Sequence, residues 1–284
     1  MSNLTYQHSG AKGQIPGFPG VNNPWFPKID VQANRYSILT SLNSAYFEFG
    51  KVWINSLLDK VNLNNVDYIF IADTGLNNEH RDYFRKKNDK VMFLDTGINT
   101  SLQDGIHGKE WLDVVCNKTK ILNHIYKSYK NSIVMTDADC MFLDDIHNLV
   151  DRGWDLQACF RGWNHQHASF LGSFVVLNTD AGSEFVDKWY EEQSTIVTPN
   201  KESPALTKAV IKHTSALFYD KNSKYKVGVV EDKIVNCNFK EEEIDNTSII
   251  HFKSGGSTKD MKQRIVGGIK KSGYFDIAER YLND

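Results

Sequence analysis

The sequence predicts an α/β fold in which helices flank a mixed, mainly parallel sheet. Short apolar runs rich in β-branched residues alternate with longer helical segments from Tyr36 onward, and the run Ser132–Thr136 is too short to be a helix. Strands that alternate with helices form right-handed βαβ units, which build parallel sheets. A chain of 284 residues can bury about three quarters of its unfolded surface in one large core. We therefore expect a single domain over residues 35–284.

Residues 1–34 are predicted to form an irregular N-terminal arm. Four glycines and four of the six prolines of the chain lie between Gly10 and Pro27, a composition that does not sustain a helix or a central strand. Two interpretations remain open. The arm is either a flexible extension or a segment that packs over a site through Phe18, Trp25 and Phe26.

The elements that follow are predicted from hydrophobic periodicity. A helix is expected where apolar residues recur on one face, and a strand where a short β-branched run is bounded by polar residues. The predicted order is a strand at Tyr36–Thr40, a helix at Tyr46–Leu58, a strand at Asp67–Ala72, a charged helix, a strand at Lys90–Leu94, a helix at Trp111–Tyr129 and a strand at Ser132–Thr136.

Composition excludes several classes of partner. Lys and Arg number 33 against 35 Asp and Glu, so no overall positive field favours nucleic acid. The longest apolar stretch, around Phe170–Leu177, is far shorter than the roughly 20 residues of a membrane span. The first residues lack the apolar core of a signal peptide. We therefore expect a cytoplasmic protein without a transmembrane segment.

Two acids follow directly after the buried strand Ser132–Thr136. Asp137 and Asp139 are separated by one residue, and in an extended segment such side chains point the same way. Both carboxylates can then bind one hard cation, which would also offset the cost of a buried like-charge pair. An isolated Asp-x-Asp is also compatible with a helix cap.

A second polar segment follows a short apolar strand at Ser248–Ile250. His251 begins it, and its neutral imidazole nitrogen could complete a metal site. Glycines such as Gly255 let backbone amides approach phosphate oxygens, and Lys259 supplies a positive charge. A histidine alone is more typical of a hydrogen-bonded structural residue, but its pairing with Asp-x-Asp favours a metal ligand.

The order of four sequence blocks resembles glycosyltransferase family 8, the glycogenin-like and bacterial galactosyltransferase group, which has the Rossmann-like GT-A fold. The resemblance extends from Tyr36 to Lys259, and the order of the blocks is more specific than any one of them. The blocks are residues 39–58, residues 117–121 followed by 137–146, residues 172–178, and residues 251–259.

This resemblance implies a transferase that moves a sugar from a nucleotide diphosphate donor, expected to be a UDP-sugar, to an acceptor hydroxyl on a glycan, with retention of configuration. The implied ligands of Mn²⁺ or Mg²⁺ are Asp137, Asp139 and His251. Donor binding is implied for Thr40, Asn43 and Tyr46 at the base and ribose, for Asp73 beside them, and for Lys120, Ala138, Gly255 and Lys259 at the diphosphate.

Two departures from the family pattern affect this assignment. The family places glycine three residues after the histidine and then Lys-Pro-Trp, whereas here Gly255 is at +4 and Lys259 at +8. The family also tends to carry Asp-Gln before a helix after the acceptor strand, where this chain has Glu202-Ser203. Glu202 is our candidate for stabilising positive charge at the anomeric carbon.

Other functions remain open from the sequence. A haloacid-dehalogenase-type phosphohydrolase, a nucleotidyltransferase and a non-catalytic carbohydrate-binding protein could each carry acids after a strand. The segment Arg161–His167 is either a surface loop or, through Trp163, a stacking surface for sugar, and His165 with His167 lacks a third zinc ligand.

The acceptor could also be a lipid-linked glycan reached by peripheral contact with a membrane. Basic residues in the C-terminal part of the chain suit such an anionic acceptor, although they are more often a solvated face. They are Lys253, Lys259, Lys262, Arg264, Lys270 and Lys271.

Overall fold

The computed structural model describes residues 5–8, 11–14, 35–100, 108–162, 168–197, 200–214, 223–236, 245–252 and 274–284. Its strands are β1 (Thr5–His8), β2 (Ala11–Gln14), β3 (Tyr36–Leu42), β4 (Val66–Asp73), β5 (Val91–Asp95), β6 (Ser132–Thr136), β7 (Cys140–Phe142), β8 (Leu156–Phe160), β9 (Phe170–Leu177), β10 (Val227–Glu231), β11 (Val235–Asn236) and β12 (Ile249–His251). Its helices are α1 (Phe47–Lys60), α2 (Asn78–Lys87), α3 (Lys109–Tyr129), α4 (Asp180–Gln193), α5 (Glu202–His213) and α6 (Tyr274–Asn283).

Nine of these strands form one sheet in the order β10-β8-β9-β6-β3-β4-β5-β1-β2. The pairs β6-β3, β3-β4, β4-β5 and β8-β10 are parallel, whereas β9 is antiparallel to both β6 and β8. Six of the seven strands from β10 to β5 therefore run in one direction. The prediction of a mixed, mainly parallel sheet is confirmed, and the functional residues are expected at the carboxyl edge of these strands.

The N-terminal arm is less irregular than predicted. Residues 5–14 contain the antiparallel pair β1-β2, and β1 pairs with β5, placing Thr5 opposite Asp95. All four prolines of the arm follow Gln14, so they do not interrupt this pair. Glycine is tolerated in an outermost strand, and Gly13 lies in β2, which pairs only with β1. The remaining residues of the arm lie outside the described part of the chain.

Alternating side chains of the strands bury the two faces of the sheet against different helices. On one face, strand residues such as Leu39 and Met135 pack with apolar residues of α3, α4 and α5. On the other face, residues such as Ile38 and Val134 pack with α1 and α2. This period of two in buried strands is the reason both faces need helical cover.

A second, three-stranded sheet has the order β11-β12-β7. Met141 of β7 and Ile250 of β12 pack in a third apolar cluster with Phe49 of α1 and with Ala278 and Tyr281 of α6. The strand predicted at Ser248–Ile250 is observed as β12, one residue further along. This small sheet places the end of β12 beside the end of β6.

Candidate metal and donor site

Asp137 and Asp139 lie in the turn that connects β6 to β7. The expectation of an extended segment is corrected here, because residues 138 and 139 form the turn itself. The indole Nε1 of Trp53 donates a hydrogen bond to Thr136 Oγ1 at 2.8 Å, and the amide of Asp137 donates to the carbonyl of Ser173 at 3.1 Å. The turn is thus held by α1 on one side and by β9 on the other.

His251 reaches this turn through the pairing of β12 with β7. The two strands are antiparallel, with His251 opposite Cys140, and the amide of Phe252 donates to the carbonyl of Asp139 at 2.8 Å. The imidazole Nε2 of His251 lies 3.2 Å from Asp139 Oδ1 and 3.5 Å from Asp137 Oδ2. The structure therefore brings together the three residues predicted as metal ligands.

The geometry of this cluster fits a divalent cation. One ligand atom from each of Asp137, Asp139 and His251 can be chosen so that all lie within 4.8 Å of one another. Two carboxylates with one imidazole suit Mn²⁺ or Mg²⁺ better than a soft metal, which prefers sulfur. His251 and Asp139 are buried, whereas Asp137 is partly exposed, so the cluster opens on the side of Asp137.

Lys118 is a site residue that the sequence analysis missed. Its buried ammonium forms an ion pair with Asp137 and lies 2.8 Å from Glu202 Oε1. Burial disfavours the charged form, but the carboxylates of Asp137 and Glu202 outweigh it and raise the pKa of Lys118. Lys118 therefore carries a buried positive charge between the metal cluster and Glu202.

Lys120, the predicted diphosphate ligand, lies elsewhere. Its ammonium is 4.3 Å from the centre of the Tyr190 ring on α4. Residues two apart on a helix are about 200° apart around its axis, so Lys118 and Lys120 face different sides of α3. The feature that could have identified Lys118 is its position in the helical repeat. It lies on the same buried face of α3 as Leu122 and Ile125.

Glu202 is the first residue of α5 and is buried beside Lys118. Burial raises the pKa of Glu202 to about 7, Lys118 opposes this rise, and Asp137 adds to it. The indole Nε1 of Trp189 donates to the backbone carbonyl of Glu202 at 2.9 Å. The structure thus places the predicted carboxylate next to the metal cluster, with Lys118 between them.

The residues predicted to hold the nucleoside lie in the second half of β3, in the turn that follows it and at the end of β4. The hydroxyl of Thr40 is buried and has no hydrogen-bond partner among the described residues. Asn43 accepts a hydrogen bond from the amide of Tyr46 at 3.1 Å and so caps the short turn between β3 and α1. Ala138 is buried within the Asp-x-Asp turn.

Asp73 makes structural contacts at the end of β4, and its contact with the donor stays a prediction. Its Oδ1 accepts hydrogen bonds from the amides of Gly75 and Leu76, and its Oδ2 lies 2.5 Å from Arg81 Nε. These contacts hold the turn after β4, whose Gly75 carbonyl accepts a hydrogen bond from the Ser44 amide at 3.1 Å. Asp73 therefore stabilises the turn that contacts Ser44, next to the residues predicted to bind the nucleoside.

Other predicted residues lie outside the described part of the chain. They include Gly255 and Lys259, the segment from Trp163 to His167, and the basic residues from Lys253 to Lys271. Among the helices that the structure describes, none is both long and apolar enough to cross a bilayer.

Comparisons with known proteins agree with this geometry. A model of the family described as nucleotide-diphospho-sugar transferase matches residues 78–264. No curated protein matches the sequence.

Three solved glycosyltransferases share the fold at low identity. The galactosyltransferase LgtC, in complex with donor and acceptor sugar analogues, aligns with a TM-score of 0.53 and 13% identity over 86% of this chain and 95% of LgtC. GlyE of Streptococcus pneumoniae TIGR4 aligns with a TM-score of 0.53 and 12% identity over 88% of this chain and 63% of GlyE.

The bifunctional glycosyltransferase WbbM aligns with a TM-score of 0.52 and 10% identity over 96% of this chain, which spans about half (54%) of the WbbM chain.

At such identities these likenesses establish the GT-A fold. The family match decides against the phosphohydrolase, nucleotidyltransferase and non-catalytic alternatives. Because that match extends from α2 past both the Asp-x-Asp turn and His251, the chain belongs to the nucleotide-diphospho-sugar transferase family and is a nucleotide-sugar-dependent glycosyltransferase resembling family 8.

Proposed function

We propose that this chain is a metal-dependent, retaining hexosyltransferase that transfers sugar from a UDP-sugar to an acceptor hydroxyl on a glycan. The observation that carries the proposal is the convergence of Asp137, Asp139 and His251 from two distant parts of the chain. A divalent cation held by these residues would supply Lewis-acid stabilisation to the departing diphosphate. LgtC, whose fold this chain shares, is described as a galactosyltransferase, which supports a hexose donor.

Lys118 and Glu202 would act on the sugar side of the metal cluster. The Lys118 ammonium holds the Asp137 carboxylate in place and favours the ionised form of Glu202, which burial alone would disfavour. An ionised Glu202 can then stabilise positive charge that develops at the anomeric carbon. Because both side chains are buried, they provide fixed charges with little competing water.

Retention follows from a geometry in which the acceptor attacks on the face that the diphosphate leaves. The departing phosphate oxygen then takes the proton of the acceptor hydroxyl, so the protein needs no separate base. Glu202 contributes by its charge in this arrangement, since its carboxylate is already paired with Lys118 at 2.8 Å. Proton NMR of the product tests this step. An α-linked product from an α-linked donor is expected, and a β-linked product would contradict retention.

Thr40 is our candidate contact for the nucleoside, on the evidence of its unpaired buried hydroxyl. Asn43 and Tyr46 would shape the same pocket at the start of α1. We propose that the protein acts in the cytoplasm and that its acceptor is a glycan, free or lipid-linked. A lipid-linked acceptor would bring the enzyme into peripheral contact with a membrane.

The proposed function is tested by turnover of nucleotide sugars after removal of metal with EDTA. Adding back Mn²⁺ or Mg²⁺ should restore transfer, or slow hydrolysis of the donor, with UDP-sugars preferred over other nucleotide sugars. Asp139→Asn should abolish the metal-dependent turnover, because it removes one ligand charge. Full turnover in EDTA, or undiminished turnover by Asp139→Asn, would overturn the proposal.

A further inference from the structure

Gly172 lies directly beneath the carboxylate of Glu202. A Cβ atom at position 172 would be 2.6 Å from Glu202 Cδ and 2.8 Å from its Cγ and Oε1. Any side chain at this position would therefore overlap the half of Glu202 that bears the charge. The atoms in the way belong to the same carboxylate that contacts Lys118 at 2.8 Å.

The requirement for glycine here comes from space rather than from backbone conformation. Gly172 does not have a positive φ, unlike Gly75, Gly97 and Gly162 among the described glycines. Glycine in the interior of a strand weakens the strand, and it often marks a close approach by another group. The neighbours Phe170, Leu171 and Phe174 are large and buried, so this strand otherwise follows the usual composition of a core strand.

An irregularity in β9 adds to this close approach. The ladder between β8 and β9 shifts register, because Ala158 pairs with Val175 whereas Cys159 pairs with Leu171. Residues 172–174 fall between these two pairs, and the amide of Gly172 donates instead to Ser203 Oγ on α5 at 3.2 Å. Such irregularities bend a strand and redirect its neighbours. At this irregular part of β9 the start of α5, with Glu202, packs over Gly172.

We propose that Gly172 is a positioning residue for Glu202, and that the two form a size-matched pair in which the missing Cβ makes room for a glutamate. The proposal rests on the proposed function, in which the charge of Glu202 stabilises the anomeric carbon. Aspartate is shorter by one carbon–carbon bond, about 1.5 Å, and would not need this space.

The test is a double-mutant cycle with Gly172→Ala, Glu202→Asp and the two combined. Gly172→Ala displaces the carboxylate and should lower kcat by roughly 10²-fold, the cost of a misplacement near 1 Å. Glu202→Asp should cause a similar loss because the shorter side chain does not reach Lys118. The combined variant should be no slower than Glu202→Asp alone, since both changes act through one carboxylate. Losses that multiply, or an unchanged kcat in Gly172→Ala, would overturn the proposal.

Thermal stability of the same variants gives a second readout. Gly172→Ala should lower the melting temperature in the presence of Glu202, and it should lower it less in combination with Glu202→Asp. Equal shifts in both backgrounds would overturn the proposal, and so would a combined variant that fails to fold as Gly172→Ala alone does. Gly228→Ala is a matched control. Gly228 lies in β10 of the same sheet, and a Cβ atom there would be 2.6 Å from the Trp154 ring. It should affect stability without affecting kcat.

This readout also separates two kinds of failure. If wild-type protein transfers no sugar from any nucleotide donor, the proposed function fails. The melting temperatures of the four proteins in the cycle then still decide whether Gly172 and Glu202 are coupled.

Discussion

The charges of the candidate site leave a deficit that one divalent cation would fill. The carboxylates of Asp137 and Asp139 carry two negative charges, Glu202 adds part of a third because its pKa is raised to about 7, and Lys118 offsets one. A net negative charge therefore remains in a largely buried cluster, where unbalanced charge is costly. The charge balance of the residues therefore supports a bound divalent metal independently of their geometry.

Replacement of Lys118 by methionine should strongly destabilise the fold. The change leaves buried carboxylates without their partner, a loss of about 3–5 kcal/mol in the free energy of unfolding. Urea denaturation in EDTA measures this effect. Lys120→Met on the same helix is the control, because this lysine only lies over the Tyr190 ring, and it should cost about 1 kcal/mol or less. Equal effects of the two substitutions would contradict the assignment.

Removal of the imidazole of His251 should weaken metal binding. His251→Ala should raise the Mn²⁺ concentration needed for half-maximal activity more than it raises the acceptor KM, because the ring contacts the acids of the metal cluster. A titration of activity against Mn²⁺ at several acceptor concentrations separates the two effects. If only the acceptor KM moves, His251 is not a metal ligand.

The site residues that the sequence could predict are those whose evidence is local. Asp137 and Asp139 follow an apolar strand, and His251 follows another, so each signal lies within a few residues. Lys118 could not be chosen over Lys120 by spacing from the acids, because the choice depends on the phase of a long helix. The contact of Gly172 with Glu202 depends on a register shift between strands, which no local pattern reveals.

At the scale of elements, the position of Glu202 depends on how α5 packs against α4. Glu192 near the end of α4 is buried, and its carboxylate lies 2.6 Å from the ammonium of Lys212 and 3.1 Å from that of Lys208, both on α5. Trp189 on α4 also contacts the start of α5 through the Glu202 carbonyl. The two helices are therefore joined at both ends of α5, which fixes the helix that carries the candidate catalytic carboxylate.

This junction should make the protein sensitive to acid. Hydrogen bonding to Lys212 and Lys208 lowers the pKa of Glu192 to about 2, from about 4.5. A lowered pKa stabilises the fold above pH 4.5, and this stability is lost as the pH falls toward 2. Glu192→Gln should therefore lower the free energy of unfolding at pH 7, with a smaller difference from wild type at pH 3.

Denaturation by urea at both pH values measures the effect of Glu192→Gln. Glu191→Gln is the matched control, because Glu191 is the preceding residue and pairs only on the exposed surface with Lys188. It should change the free energy of unfolding by about 1 kcal/mol or less. A difference between wild type and Glu192→Gln that does not depend on pH would contradict the assigned role of the Glu192 charge.

The predicted elements were confirmed where hydrophobic pattern alone decides them. The strand Ser132–Thr136 has the predicted bounds, and the helix predicted at Trp111–Tyr129 begins two residues earlier. The pair β1-β2 was not predicted, because its strands depend on pairing with the distant strand β5. Composition excluded a central strand in the arm, and it carried no information about an edge strand.

At the scale of the whole molecule, the metal cluster depends on the C-terminal helix as well as on the sheet. The amide group of Asn55 on α1 donates to the carbonyl of Tyr281 on α6 at 2.9 Å. Tyr281 packs in the same apolar cluster as Ile250, the residue before His251. The C-terminal helix therefore supports the strand that carries His251, the third candidate metal ligand.

Binding of the metal and of the nucleotide should accordingly stabilise the whole fold together. A ligand at a hundred times its Kd adds about 2.7 kcal/mol to the free energy of unfolding. For a chain of 284 residues, that corresponds to a rise of about 4–5 °C in Tm. UDP with Mn²⁺ should give a rise of this order, whereas UDP in EDTA should give much less, since on the proposed function Asp137, Asp139 and His251 would hold the diphosphate through the cation. Thermal unfolding with UDP, ADP and GDP measures the effect and compares the bases, with Asp139→Asn as the control that should lose the contribution of the metal. An equal rise with UDP in EDTA and in Mn²⁺ would show that the nucleotide binds without the metal cluster.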